Sequence, residues 1–138
     1  MAADVTVVSH AADRLAKAIV VATKSPADPR TLMAWGQAAG VSRGALRVWC
    51  AAARVPARSC LDFVRLLRAV VIARDQTWDL FSALDVVDRR SLIRLLDRGG
   101  LRDFSRVDQA PAVHTFLTVQ RFVHNPHVIE AVSRRLDE

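Results

Sequence analysis

The side chains best suited to chemistry in this chain are arginines at the start of two predicted short helices. The first set comprises Ser42, Arg43, Gly44 and Arg47, and the second comprises Arg89, Arg90 and Arg94. Residues three or four positions apart share one face of a helix, so each set forms one cationic face. A guanidinium offers a planar fork of donors that fits phosphate and the O6 and N7 edge of guanine. The spacing therefore predicts two faces able to read bases.

Positive charge is concentrated in the same region of the chain. Residues 30–102 hold 13 of the 20 basic groups and six of the 14 acidic groups, a net charge of +7, whereas the remainder carries −1. Of the 20 cations, 18 are arginine. A basic surface of this kind attracts phosphates, and solvated helix faces in an arginine-rich chain are the alternative interpretation. The candidate phosphate contacts are Arg30, Arg58, Arg65 and Arg98.

Histidines near the C-terminus raise the question of a metal site. His114 precedes the pair His124-x-x-His127, whose spacing resembles that of metal ligands. Pro126 interrupts the pair, and Glu130 alone makes a weak fourth ligand. We therefore predict no metal site and no cofactor.

The two cysteines do not form a catalytic or metal-binding motif. Nine residues separate Cys50 from Cys60, without a C-x-x-C pattern or an obvious histidine partner. The chain also has no tyrosine, no phosphate-cradling glycine loop and no nucleophile elbow. We predict that the protein is not an enzyme and that both cysteines are reduced, buried thiols.

Length and composition predict an all-α fold with one domain and helical extensions. A chain of 138 residues can bury a sizeable core, and 51% hydrophobic residues with few glycines and prolines argue against disorder. The longest stretches without a charged residue have 12 residues, short of the roughly 20 needed to cross a bilayer. The first residues lack the basic region of a secretory signal, so a cytoplasmic location without membrane association is expected.

A first helix pair is predicted over residues 31–47, after a proline-containing break at residues 25–30 that ends an N-terminal amphipathic helix. Asp28 before a proline is interpreted as the N-cap of the restarted helix. Gly40 permits the sharp turn, and Ser42 caps the second helix. The residues expected to form its small core are Leu32, Trp35, Ala39, Val41, Leu46 and Trp49.

A long helix over residues 56–74 is predicted to separate this pair from a second pair over residues 77–99. Nineteen helical residues span about 28 Å, close to the roughly 34 Å between successive major grooves. Thr77 and Asp88 are the predicted N-caps of the second pair. Its turn at residues 85–88 has no glycine, and local ion pairs of Asp85 and Asp88 with the nearby arginines are the alternative to base reading.

This order of helices resembles the C-terminal DNA-binding domain of the AraC/XylS transcriptional regulators over residues 28–101. The matching residues are Gly40-Val41-Ser42-Arg43, Leu46, Pro56, Leu61, Arg65, Leu66, Ala69, Thr77 and Ser91. The resemblance implies two helix-turn-helix units that bind one face of a DNA duplex. Ser42, Arg43, Gly44 and Arg47 then take the first major groove, and Arg89, Arg90 and Arg94 the second. Where the family's second turn has Gly-Phe, this chain has Val86-Val87.

Three segments follow from these expectations: an N-terminal helix at 1–27, the double helix-turn-helix domain at 28–101 and a C-terminal helical extension at 102–138. The family's usual effector-binding module is expected to be absent, because about 27 residues precede the motif. Pro111 and Asn125-Pro126 are predicted to start helices in the extension. Their apolar stripes pack on the rest of the chain or, alternatively, form a homodimer with a second copy.

The sequence therefore predicts a sequence-specific regulator of transcription that binds double-stranded DNA with recognition helices in the major groove. The alternative is a helical protein-interaction module, an adaptor or anti-factor, that uses the same surface to bind a protein partner.

Overall fold

The computed structural model describes residues 2–76, 80–86, 88–99, 112–120 and 126–137. All regular structure within these ranges is helical, which confirms the all-α fold class. In chain order the helices are α1 (Ala2–Ala22), α2 (Leu32–Ala39), α3 (Arg43–Ala52), α4 (Ala57–Gln76), α5 (Leu80–Ala83), α6 (Arg89–Arg98), α7 (Val113–Thr118) and α8 (Pro126–Leu136). In the described part of the chain, none of these helices has the length and apolar character needed to cross a membrane.

Helix α1 is a central packing element. Its predicted apolar stripe is buried, with Leu15, Ala16 and Ile19 at zero exposure. The helix begins at Ala2, and residues 2–22 contain no glycine or proline to interrupt it. Helix α8 packs along α1, and α2 and α3 contact it as well. The N-terminal helix thus supports the first helix pair.

Helices α2 and α3 form the first helix pair. Thr31, rather than Asp28, is the N-cap of α2 and accepts a 3.0 Å hydrogen bond from the Ala34 N–H. Asp28 does not cap because its carboxylate has other partners, described below. The prediction is confirmed at the turn: Gly40 has φ of 74°, and Ser42 caps α3.

The close approach of α2 to its own turn depends on Gly36. A Cβ at this position would lie 2.6 Å from the backbone oxygen of Val41, closer than van der Waals contact allows. The Trp35 indole beside it donates a 3.2 Å hydrogen bond to the Ala18 carbonyl of α1 and is fully buried. The first pair is therefore fixed both internally and against α1.

Helix α4 is the long helix between the two pairs, and it contacts α1, α2, α3, α5, α6 and α7. Its apolar band is buried, including Val64, Leu67 and Val70. Cys60 on α4 meets Cys50 on α3; both thiols are free and buried, as predicted. The hydrogen bond between them lowers the pKa of Cys50 and raises that of Cys60. Helix α4 is thus the common support of both pairs.

Helices α5 and α6 each contact α4, and we call them the second helix pair. Asp88 caps α6 as predicted, accepting a 2.8 Å hydrogen bond from the Ser91 N–H. Leu92, Leu95 and Leu96 are buried beneath α6. The predicted N-cap Thr77 lies outside the described residues.

The C-terminal helices pack on the long helices, α7 against α4 and α8 against α1. Phe116 of α7 stacks on Phe63 of α4 with ring centroids 5.6 Å apart, and Val128 and Val132 of α8 are buried. Helix α7 ends at Thr118, whose hydroxyl lies 2.9 Å from the carbonyl oxygens of His114 and Thr115. The predicted helix starts at Pro111 and Asn125 lie outside the described residues. Leu117 of α7 and Ala131 of α8 are likewise buried within the chain.

Candidate nucleic-acid interface

A groove of about 520 Å³ opens between the start of α2, the outer face of α3 and the start of α4. Four arginines line it: Arg30, Arg43, Arg47 and Arg58. All four are exposed, and none of the described residues that line the groove is acidic. Arg43 and Arg47 of the first predicted set therefore lie in one cationic groove with two of the predicted phosphate contacts, Arg30 and Arg58.

A smaller groove of about 230 Å³ lies beside it, next to α6. Its basic lining residues are Arg30, Arg65, Arg94 and Arg98. Arg30 lines both grooves, so the cationic surface continues from α3 to α6. We give the name arginine strip to five exposed arginines along this path, Arg43, Arg47, Arg58, Arg30 and Arg94. The sixth exposed arginine, Arg98, is bound to Asp62.

Arg30, the middle member of the arginine strip, is only weakly paired. Its Nη1 lies 3.4 Å from Asp85 Oδ2, and both side chains are more than half exposed. An exposed pair of this kind contributes little free energy. Exchange of Asp85 for an incoming phosphate is therefore inexpensive, and Arg30 is available to a polyanion.

Arg65 differs from the prediction that it contacts phosphate. Its guanidinium makes a bidentate ion pair with Asp28, with Nε and Nη2 at 3.0 and 2.8 Å from the two carboxylate oxygens. The Asp28 side chain is 1% exposed and that of Arg65 is 12% exposed. Since a buried charge without its partner is strongly unfavourable, Arg65 stays with Asp28 and does not join the arginine strip.

Asp28 also accepts a 2.9 Å hydrogen bond from the backbone N–H of Asp85, in the segment that leads into α6. The carboxylate thereby ties three parts of the fold together: the loop before α2, the middle of α4 and the connection between α5 and α6. We call Asp28, Arg65 and the Asp85 backbone the Asp28 brace. It fixes the two helix pairs relative to each other.

Arg68 makes a second connection between the same segments. From α4 its Nε donates to the Ser25 carbonyl and its Nη1 donates to the Ala83 carbonyl, both at 2.9 Å. Burial lowers the pKa of Arg68, and the nearby charge of Asp28 partly offsets this. With 4% exposure, Arg68 is a structural residue.

Arg98 lies at the edge of the second groove and is engaged with α4. Its Nε donates to Asp62 Oδ2 at 2.8 Å, and its side chain remains 48% exposed. The hydrogen bond and charge of Asp62 raise the pKa of Arg98. Two nitrogens of Arg98, Nε and Nη2, therefore bind Asp62 and join α6 to α4. The rest of this predicted phosphate contact faces solvent.

The remaining predicted residues lie on exposed surfaces. Ser42 and Gly44 are exposed at the start of α3, while Arg89 and Arg90 are exposed in the first turn of α6 and line neither groove. Backbone hydrogen bonding from Ser91 lowers the pKa of Asp88, with a further contribution from the charge of Arg94. Asp88 is thus an ionised helix cap beside the arginines.

Positioning residues were harder to find from the sequence than the exposed arginines. Asp28, Arg68 and Gly36 were not predicted to hold the site together. The one available signal was the apolar band around Arg65 and Arg68 on α4, since long charged residues within such a band need internal partners. In the described residues no group of three histidine, cysteine or acidic side chains is placed to hold a metal ion, and His124 lies outside them.

Comparison of the chain with protein-family models, with curated proteins and with solved structures gives no match. The arginine strip and the helices that present it are therefore interpreted from their own geometry and charge.

Proposed function

We propose that this protein binds double-stranded DNA in a sequence-specific manner and regulates transcription. In this proposal α2–α3 and α5–α6 are two helix-turn-helix units of the AraC/XylS type, and α3 and α6 are their recognition helices. The observation that carries the proposal is the arginine strip, which extends from α3 to α6 because Arg30 lines both grooves; among the described residues that line them, Asp85 is the one acidic side chain.

The dimensions of the domain support this proposal. Helix α4 has 20 residues, a length of about 30 Å, and the two helix pairs are attached along it. Successive major grooves on one face of a duplex recur roughly every 34 Å. The Asp28 brace fixes the two pairs, so the spacing of the two recognition helices is set before DNA is bound.

The side chains on α3 and along the strip divide into two roles. Arg43 and Arg47 lie on the N-terminal half of α3, the part of a recognition helix that contacts base edges, and each can bind guanine through two hydrogen bonds. Arg30 and Arg58 lie off the recognition helices and contact phosphates, which supply affinity without sequence information. Cytoplasmic location and action on a promoter follow from this proposal.

A gel-shift assay with charge-reversed variants tests the proposal. The duplex is first selected by the wild-type protein from random sequence, and binding is then measured over a series of salt concentrations. The variant Arg43→Glu/Arg47→Glu is expected to bind that duplex at least about tenfold more weakly, since each bidentate guanine contact contributes roughly 1–3 kcal/mol. Wild-type affinity should fall steeply with salt because bound phosphates release counterions.

The chain offers a matched control in its two lysines. Lys17 and Lys24 are exposed and line neither groove, so Lys17→Glu/Lys24→Glu changes net charge by the same amount away from the strip. This control should retain most of the wild-type affinity. Equal loss in both variants would contradict a site at the arginine strip. Absence of binding to any duplex at low salt, together with a stable complex with another protein, would favour the interaction module instead.

A further inference from the structure

Each proposed recognition helix carries one large aliphatic side chain on its exposed face. Val48 on α3 is 64% exposed and Ile93 on α6 is 42% exposed. Single exposed aliphatic residues are common on proteins, but these two occupy related positions. Each lies next to an arginine of the arginine strip, Val48 after Arg47 and Ile93 before Arg94.

The register of the two helices makes this relation clear. Counted from the capping residues Ser42 and Asp88, the fourth residue of each helix is a buried leucine, Leu46 and Leu92. The fifth and sixth residues are Arg47-Val48 in α3 and Ile93-Arg94 in α6. Both helices therefore present one guanidinium and one β-branched aliphatic group at their fifth and sixth positions, in opposite order.

The exposed face of α3 carries few types of side chain that can bind a base. Its exposed residues, with the cap, are Ser42, Arg43, Gly44, Arg47, Val48 and Ala51. Asparagine and glutamine, which pair with adenine, are absent from α3, as are the acidic residues that accept from cytosine. The Ser42 hydroxyl caps α3. What remains is arginine for guanine and an apolar surface, whose matching feature in the major groove is the C5 methyl group of thymine.

Helix α6 presents a similar combination. Arg89, Arg90, Ile93 and Arg94 are exposed in its first two turns, and its one acidic residue, Asp97, is in the last turn. The N-terminal half of a recognition helix makes the base contacts. Guanine and the thymine methyl are therefore the features of DNA that both helices are equipped to read.

We propose that Val48 and Ile93 each contact the C5 methyl group of a thymine, beside a guanine bound by the neighbouring arginine. This inference rests on the proposed DNA-binding function and names the bases that each helix selects. Consecutive helical residues are separated by about 100° around the axis, so an aliphatic group beside an arginine reaches a neighbouring base. Contact with a methyl group also removes both apolar surfaces from water.

Replacement of thymine by deoxyuridine tests the inference because it removes the methyl group and leaves the pairing edge unchanged. The probe is the duplex selected by the wild-type protein, with each thymine replaced in turn. At one thymine in each half of the site, binding should weaken about fourfold, the value of one buried methyl group. Val48→Ala should lose this sensitivity in the half bound by α3 and keep it in the other half.

Ile93→Ala should show the reverse pattern, so each variant is a control for the other. Val21→Ala, at an exposed position on α1, should retain sensitivity in both halves. If wild-type protein binds a specific duplex and no deoxyuridine replacement changes its affinity, methyl reading is wrong and DNA binding stands. If sensitivity persists in Val48→Ala, another group reads the methyl. If no specific duplex is selected, the proposed function fails as well.

Discussion

Replacement of Asp28 by alanine is expected to destabilise the protein strongly, since it removes the acceptor at the centre of the Asp28 brace. The variant loses a bidentate ion pair with Arg65 and the acceptor of the Asp85 N–H. The Arg65 guanidinium, whose side chain is 12% exposed, is left without a counter-ion. Its remaining contact is a 3.4 Å hydrogen bond to the Asp85 carbonyl.

The expected magnitude follows from burial. Removal of one partner from a buried ion pair costs about 3–5 kcal/mol, largely because the other charge stays buried and uncompensated. A chain of this size has a total stability of roughly 5–15 kcal/mol. Asp28→Ala should therefore lower the free energy of unfolding by about 3 kcal/mol or more, a large part of the total.

Urea unfolding of wild type and variant, followed by circular dichroism, measures this change. Asp13→Ala is the matched control, because Asp13 pairs with Arg134 at 3.5 Å and both side chains are more than half exposed. Loss of this surface pair should change stability by less than about 1 kcal/mol. The double variant Asp28→Ala/Arg65→Met should be more stable than Asp28→Ala, because it removes the uncompensated charge.

A loss below about 1 kcal/mol for Asp28→Ala, equal to that of Asp13→Ala, would refute the reasoning. Failure of Arg65→Met to recover stability in the double variant would show that the cost does not come from the isolated guanidinium. The brace would then not be the element that fixes the two helix pairs.

Two further predictions concern the turn of the first pair and the cap of the second. Gly36→Ala should destabilise by about 1–3 kcal/mol in urea unfolding because its Cβ meets backbone at 2.6 Å. Gly44→Ala, whose Cβ has only a side-chain oxygen at 3.9 Å, should instead stabilise by about 0.5–1 kcal/mol; the same sign for both would contradict the packing argument. The pKa of Asp88 is lowered in the folded protein, so its ionised cap stabilises α6 fully at pH values above the ordinary carboxyl pKa of about 3.9. This stabilisation is lost as pH falls through the lower pKa of the folded state. The stability difference between wild type and Asp88→Ala should therefore shrink from about pH 5 to about pH 2, and a constant difference would refute an ionised cap.

Local signals predicted the exposed site well. The caps Ser42 and Asp88 and the turn glycine Gly40 depend on backbone chemistry within a few residues, and all three are confirmed. The exposure of Arg43 and Arg47 followed from helical periodicity in the same way. Helix caps, turns and side-chain exposure depend on nearby residues, so they can be predicted from a single sequence.

Contacts between distant residues were beyond this kind of reasoning. Asp28 lies 37 residues from Arg65 and 57 from Asp85, and nothing in its local sequence distinguishes a buried acceptor from a helix cap. The burial of Arg68 is equally hidden from the sequence, because periodicity shows which face of a helix a residue occupies but not what covers that face. The position of Arg30 in the lining of both grooves likewise depends on the tertiary arrangement of the two helix pairs.

Selection of binding sites from a pool of random duplex DNA, followed by footprinting of the enriched sequence, tests the central claim most directly. The expected result is a site with two elements rich in guanine and thymine, one helical turn of roughly 10 base pairs apart and protected on one face of the duplex. The same site should bind Arg43→Glu/Arg47→Glu weakly and Lys17→Glu/Lys24→Glu normally. Selection that enriches no sequence, or a single element with no protection one turn away, would contradict reading by both α3 and α6.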